Sequence, residues 1–439
     1  MSFRDFLSRL GKQGRLLKTK KQISKRLDVS SLMKQLDGNP LLFENVKESE
    51  FRIAANVFSK KELVAEYFGV KPERLIQLMI NALENRSEPN EIAKAPCQEI
   101  GEKHVDLDKI PLLFHYPEDG GNYVTSGVII AKDNELGQNV SFHRCMQLDK
   151  KRFSVRILPR HLNEFIKRNG NELDVALCIG NSAQVSLAGA TSTEIGINEL
   201  TIANSIKKFD VVKAKTSDIL IPADCEFVLE GRIINSFEDE GKFVDLTETY
   251  DIVRKQPVFE VKKITHRKNA IWHALLPGGL EHKTLMGMPR EPTIFKEVSK
   301  VCNCLDVSIT PGGCDWLHAV VKIDKKNADD GIKAGEAAFR GHSSLKHAFV
   351  VDKDIIDIND FSNIEWSLAT RFQADKNLIV KKGKGSSLDP SANANTRDTA
   401  KAIYDLTIPA GKDPADFVKA LLKKVELKKY FKFGKIKKD

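Results

Sequence analysis

Residues 139–147, NVSFHRCMQ, bring an amide, a hydroxyl, an imidazole and a guanidinium into one short run. In an extended strand alternate residues share a face, so Asn139, Ser141 and His143 point one way and Arg144 the other, unless a bulge re-aims it. Any half-buried strand shows the same alternation, with its polar side toward water. Downstream, LPRHL sets His161 behind a proline turn and INELTIAN sets Glu199 among apolar neighbours. Amide, imidazole and carboxylate form a mixed ligand set that suits a borderline-hard divalent ion such as Mn²⁺ or Mg²⁺ better than a thiolate-bound metal. No short ligand spacing joins the three, and an isolated structural histidine beside a solvated glutamate is the plainer reading of spacing alone.

The run FEDEGKFVDLTETYD, residues 237–251, is rich in acids around Gly241. Glu240 and Asp245 within it suit an acid and base pair if burial raises one pKa beside a compensating arginine. Charge runs are usually exposed, so a solvated acidic loop is the competing reading. ITPGGCDW offers Cys314 after two glycines, a pattern more typical of a tight turn than of an activated nucleophile. The sequence carries no GxxxxGK[ST], GxGxxG, GxSxG or HExxH, so P-loop, Rossmann, hydrolase-elbow and zincin chemistry lack their fingerprints.

These residues need a scaffold, and 439 residues predict two to three domains with buried cores. Apolar residues are 41% and charged residues 29%, which excludes a disordered polymer or a membrane bundle. The charges in SFRDFLSRLGKQGR interrupt any leader-like apolar stretch, which predicts a cytoplasmic protein with no membrane partner. Seven scattered cysteines with no CxxC pair predict reduced thiols rather than a disulfide framework or a zinc site. The net charge of +9 gathers at KTKKQISKR and in the C-terminal lysine run. No aromatic-interleaved basic motif accompanies it, so solvated tails are expected and no nucleic-acid partner.

The expected fold class is α+β with three domains. Residues 1–105 read as an N-terminal α/β domain, opened by a helix in which Phe3, Phe6, Leu7 and Leu10 recur at helical spacing. Residues 106–300 read as short β-rich runs with turn signals every ten residues or so, the texture of an antiparallel barrel or sandwich, interrupted by one helix near 160–169. Residues 301–439 alternate strand and helix and read as a C-terminal α/β domain.

Taken in order, VDLDKIPLLFHYPEDGGNYVTSGVIIAKD, NVSFHRCMQ, LPRHL, SAQVSLAGATSTEIGINELTIANSI, IPADCEFVLEGRI and FEDEGKFVDLTETYD resemble the UbiD family of decarboxylases. RDFLSRL and LLFENV near the start, with RFQADKNLIV and SSLDPSA near the end, extend the resemblance over nearly the whole chain. The resemblance implies prenylated FMN held in a central split β-barrel, its phosphate bridged to the protein by a divalent metal, usually Mn²⁺, and by K⁺. The family's metal ligands fall on Asn139, His161 and Glu199. Its catalytic arginine falls on Arg144, its two acids on Glu240 and Asp245, and its phosphate-contacting lysine on Lys401. Ser141, Phe142, His143 and Arg160 stand where cofactor contacts are expected. In the implied chemistry Arg144 orients the substrate carboxylate, and protonated Asp245 delivers the proton that replaces CO₂. Val244, His143 and Cys145 depart from the family's usual residues and bear on the substrate pocket.

LLPGGLEHKTLMG resembles the form found in archaeal members, which implies an unsaturated-acid substrate, trans-anhydromevalonate 5-phosphate, converted to isopentenyl phosphate in a modified mevalonate pathway. His282, Lys283 and Arg290 are then candidates to meet the substrate phosphate. An aromatic hydroxy acid such as 4-hydroxybenzoate or its prenylated form is the alternative substrate. A non-catalytic basic scaffold that binds nucleic acid through its tails is the remote one. The resemblance also implies a flavin prenyltransferase as cofactor supplier and a homo-oligomer, dimer or hexamer.

Overall fold

The computed structural model describes residues 1–430 except positions 394, 421, 424, 427 and 428. The C-terminal lysine run, expected to be a solvated tail, falls largely outside the described residues. Helix Phe3–Lys12 forms as its spacing predicts, with Phe3, Phe6, Leu7 and Leu10 all buried. Ser2 caps it: the Ser2 hydroxyl accepts the Asp5 N–H and the Asp5 carboxylate accepts the Ser2 N–H. Its buried face stacks Phe6 on Phe58, ring centroids 5.9 Å apart, and sets Phe3 at a tilt against His273 at 4.7 Å. Helix Asp28–Gln35 has no counterpart in the sequence reading. Its N-cap, Leu27, makes no side-chain cap bond and sits at φ 69°, so the usual start signal is missing.

The N-terminal sheet pairs Leu17–Thr19, Leu41–Phe43, Arg52–Ala55 and, from far along the chain, Ile271–Ala274. This last strand lies parallel to Arg52–Ala55, so the chain returns to its first layer after building the centre. The centre is a nine-stranded sheet in the order Tyr123–Val124, Cys145–Gln147, Arg152–Val155, Arg254–His266, Phe227–Glu240, Leu173–Ile179, Val128–Asp133, Gly137–Phe142, with Ile100–Gly101 beside Arg254–His266. Each neighbouring pair is antiparallel. Among the described residues its ladder is an open path rather than a closed barrel. Both faces are covered: Val175, Leu177 and Ile179 join one core while Ala176 and Cys178 of the same strand join another. That is why LDVALCI reads as a continuous apolar run.

Two central strands run long, Phe227–Glu240 and Arg254–His266, with a register shift between Ile234 and Phe237. They carry the acid-rich turn out beyond the sheet, and the irregularity re-aims their ends. The helix expected near 160–169 is His161–Arg168. The C-terminal sheet has the order Cys304–Ile309, His318–Ile323, His347–Asp352, Asp398–Asp405, Leu378–Lys384. Helix Asp330–Gly341 lies so close to it that a Cβ on Gly335 would sit 2.4 Å from Ile403. Helix Glu291–Ser299 contributes Ile294 and Val298 to the same core. All seven cysteines are free, and among the described residues no helix is long and apolar enough to cross a membrane.

Removing the Phe6 ring should cost about 3–5 kcal/mol, since Phe6→Ala leaves a cavity under the first helix. Ser2→Ala, which removes only the cap, should cost about 1 kcal/mol. Denaturant midpoints of the two variants, compared at equal m-values, check the ranking.

Candidate active site

A cavity of about 630 Å³ opens where the central sheet, helix Leu280–Gly287 and the C-terminal domain meet, and its walls include Asn139 to Arg144, His161, Glu199, Asp245 and Ser343. Strand Gly137–Phe142 ends just before His143, and the chain resumes pairing at Cys145–Gln147. His143 and Arg144 occupy the break, so strict alternation stops there and both face the cavity.

Arg144 is the hub of one end. Its Nε and Nη2 fork onto Glu240, both at 2.9 Å. Nη1 donates to Asp245 at 2.8 Å, and Nη2 also reaches Asp251 at 2.9 Å. The guanidinium lies 4.4 Å from the Phe243 ring centroid. Its side chain is 8% exposed and that of Glu240 is 0% exposed. Burial works against the charge of Arg144, but Glu240, Asp245 and Asp251 outweigh it and hold the pKa above its ordinary value. For Asp251 burial pushes upward, and Arg254 with Arg144 reverse the shift to below the usual carboxylate range. The Tyr123 hydroxyl donates to Glu240 at 3.1 Å. The solvated-loop reading of this run is therefore overturned at Glu240. Asp251, which no spacing singled out, joins the site; its only sequence signal is membership of the acid-rich run.

The backbone behind Glu240 is set by a glycine contact. Gly120 N–H donates to the Lys242 carbonyl at 2.9 Å, and a Cβ on Gly120 would lie 1.8 Å from the Gly241 carbonyl oxygen. The turn before it is held by Asp119, whose carboxylate accepts the N–H groups of His115 and Tyr116 at 3.1 and 2.9 Å.

At the other end Glu199, first residue of helix Glu199–Ile206, is 2% exposed. Its carboxylate accepts from Val140 N–H at 2.7 Å, Thr193 hydroxyl at 2.9 Å and Asn139 Nδ2 at 3.2 Å. No lysine or arginine pairs with it among the described residues, and burial raises its pKa to about 7. The Ser141 hydroxyl lies 3.1 Å from Asn139 Oδ1 and 2.9 Å from His143 Nε2. His143 Nδ1–H donates to the Arg156 carbonyl at 2.9 Å, which leaves Nε2 as the accepting nitrogen. Burial lowers the His143 pKa to about 4, so the ring is neutral. His161 heads its helix on the same cavity wall; burial first, then Arg160, lowers its pKa, the neutral state a metal ligand needs.

Arg160 and Arg290 line this end without a carboxylate partner among the described residues. Arg290 Nη2 donates to the Ala190 carbonyl at 2.8 Å, Nη1 donates to the Ser192 hydroxyl, and Nε has no partner. Burial, with Arg160 adding to it, lowers the Arg290 pKa to about 9. A buried carboxylate lacking a cation and two arginines lacking an anion are what a phosphate bridged by a divalent ion would complete. Among the described residues no three His, Cys, Asp or Glu side chains cluster to hold a metal.

The remaining expectations divide. Phe142 and His282 line the cavity; Lys283 does not, and pairs with Glu248 at 2.6 Å. Lys401 stands behind the wall, its ammonium donating to the carbonyl of Ser343, which does line the cavity. Val244 and Cys145 are buried outside the lining, so of the three departures only His143 touches the pocket.

Family models of the 3-octaprenyl-4-hydroxybenzoate carboxy-lyase match the chain as its N-terminal domain over residues 7–83, its Rift-related domain over 90–280 and its C-terminal domain over 283–406. The chain belongs to the UbiD family. A Methanocaldococcus jannaschii relative named anhydromevalonate phosphate decarboxylase is 40% identical over 407 residues, covering 90% of this chain and 95% of that one. A Methanothermobacter thermautotrophicus relative of the same name is 36% identical, covering 92% and 96%. Among solved structures, the UbiD-class enzyme HmfF from Pelotomaculum thermopropionicum in complex with FMN superposes with a TM-score of 0.94 at 33% identity, covering 98% of this chain and 100% of that one. An evolved dimeric form of HmfF in complex with prFMN gives 0.90 at 32% identity, with the same coverage. As a UbiD-family member the protein is a carboxy-lyase.

Gly120→Ala should displace the Glu240 backbone and lower decarboxylase turnover about 10²-fold, the cost of misplacing a reacting group by about 1 Å. Gly312→Ala, where a Cβ meets nothing within 4 Å, is the matched control. Turnover of the pair under saturating substrate decides it.

Proposed function

We propose that this enzyme decarboxylates trans-anhydromevalonate 5-phosphate to isopentenyl phosphate, with prenylated FMN and a divalent ion, Mn²⁺, as cofactors. One observation carries the reading: Arg144, Asp245 and Asp251 line one wall of a cavity, with Glu240 buried against the Arg144 guanidinium, and the other end suits a metal-bridged phosphate. The two relatives described above as named for anhydromevalonate phosphate support the substrate, being 36% and 40% identical across at least 90% of this chain, against 29% for a gallate decarboxylase. The HmfF complexes with FMN and prFMN support the cofactor.

In this reading Asn139, His161 and Glu199 hold the divalent ion. Arg160, Arg290 and Ser192 meet the cofactor phosphate beside K⁺, with Lys401 bracing the Ser343 segment. Bound prenylated FMN supplies the electron sink that decarboxylation of an unsaturated acid needs. Arg144 orients the substrate carboxylate, and to do so it must loosen one of its acids. Glu240 is held by a fork and by Tyr123, and Asp251 by Arg254 at 2.6 Å as well as by Arg144. Asp245 has a single bond from Arg144 and one from Leu246 N–H, so it is the acid freed to hold a proton and return it to the carbon that CO₂ has left.

The test is CO₂ release by protein co-expressed with a flavin prenyltransferase and supplied with Mn²⁺, on the phosphorylated acid and on aromatic hydroxy acids in parallel. Turnover of only the aromatic acids overturns the substrate. Asp245→Asn should lose about 10² to 10⁴ in kcat while retaining flavin and metal, and near wild-type kcat moves the donor to Glu240 or Asp251. His161→Ala should weaken metal and flavin retention about 10- to 100-fold with little change in Tm. Unchanged flavin content after gel filtration contradicts its place as a ligand.

A further inference from the structure

We propose that Arg156 is the specificity residue that binds a second anionic group of the substrate, the phosphate, at the reacting end of the cavity. The inference rests on the proposed substrate reading and adds to it a residue that neither the motifs nor the family comparison assigns. Arg156 follows strand Arg152–Val155 and is fixed on both sides. Its N–H donates to the Arg144 carbonyl at 3.1 Å, its carbonyl accepts from His143 Nδ1 at 2.9 Å, and the next N–H, of Ile157, donates to Gln256 at 2.8 Å. Arg156 lines the cavity, its side chain 17% exposed.

What sets Arg156 apart is that its guanidinium donors are unused. The nearest acid is Asp251, 4.0 Å from Nε, and among the described residues the side chain makes no hydrogen bond. The acids within reach are already engaged: Glu240 and Asp245 by Arg144, and Asp251 by Arg144 and Arg254. Burial lowers the Arg156 pKa, Arg254 and Arg144 lower it further, and Asp251 and Glu240 offset this only in part. A half-buried cation beside two others is costly unless an anion completes it. The substrate carboxylate is claimed by Arg144, and the cofactor phosphate belongs to the opposite end, beside Arg290, Ala190 and Ser192. A guanidinium fork one ladder step from the carboxylate site matches a phosphate carried on the same short chain, and a mono-acid has nothing to offer it.

The experiment compares holoenzyme of wild type, Arg156→Gln and Arg156→Lys on the phosphorylated acid and on its dephosphorylated alcohol, after equal flavin content and Tm are established. Arg156→Gln should lower the ratio of kcat/KM between the two substrates about 30-fold, mainly through KM for the phosphorylated acid, and Arg156→Lys should recover part of it. An unchanged ratio in Arg156→Gln overturns the proposal while leaving the substrate reading intact. If wild type releases no CO₂ from the phosphorylated acid, the substrate reading fails instead. Arg156 is then judged by titrating the holoenzyme with ethyl phosphate, which should bind wild type at least tenfold tighter than Arg156→Gln; equal binding overturns the proposal. Should Arg156→Gln not fold, Arg156→Lys serves alone, and a wild-type ratio in it counts against the guanidinium fork.

Discussion

The site depends on one buried guanidinium. Arg144 ties together three carboxylates from a single excursion of the long central hairpin, like charges that would repel one another without a shared cation. The dependence is mutual, because the acids are what allow a cation with an 8% exposed side chain to persist. Such a cluster is poised rather than inert. A carboxylate arriving on a ligand competes for the same donors, and the protein's own acids must then redistribute protons among themselves.

The cavity separates its charges by role. At the Arg144 end three arginines face three carboxylates, with Arg156 the one that makes no side-chain hydrogen bond, while the Glu199 end holds unmatched charges of both signs. Unmatched charge in a cavity wall is stabilised when a ligand of the right sign arrives, so the distribution of unpaired groups maps where ligand charges go. Glu199, the first residue of its helix and held by the Val140 N–H, joins that helix to the strand bearing Asn139.

The walls are braced from outside the chemistry. Glu248, in the loop carrying Asp245, pairs with Lys34 at 2.8 Å and with Lys283 at 2.6 Å. The first N–H of helix Leu280–Gly287, from Leu280, is accepted by Asp37 at 3.0 Å, and Glu281 accepts the Phe58 N–H at 2.8 Å. Exposed ion pairs contribute little stability one by one. Here they matter for geometry, because they tie the acid-rich loop and the pocket helix to the N-terminal layer.

The sequence by itself determined the first helix, the β-rich centre and the alternating C-terminal layer, while Asn139, Arg144, His161, Glu199, Glu240 and Asp245 stood out only through the resemblance of ordered motifs to a family. Those are local facts: helical spacing places Phe3, Phe6, Leu7 and Leu10 on one face whatever lies beyond it. Tertiary structure alone decided which charges meet. Glu240 lies 96 positions from Arg144 and Asp251 lies 107, and no period reaches that far. The same holds for the return of Ile271–Ala274 to the N-terminal sheet, for Lys401 standing behind Ser343, and for Arg156, which the fold leaves without a side-chain hydrogen bond and 4.0 Å from Asp251. Spacing along the chain sets which face a side chain takes, whereas the partner it finds there depends on how distant strands register and close around a common cavity.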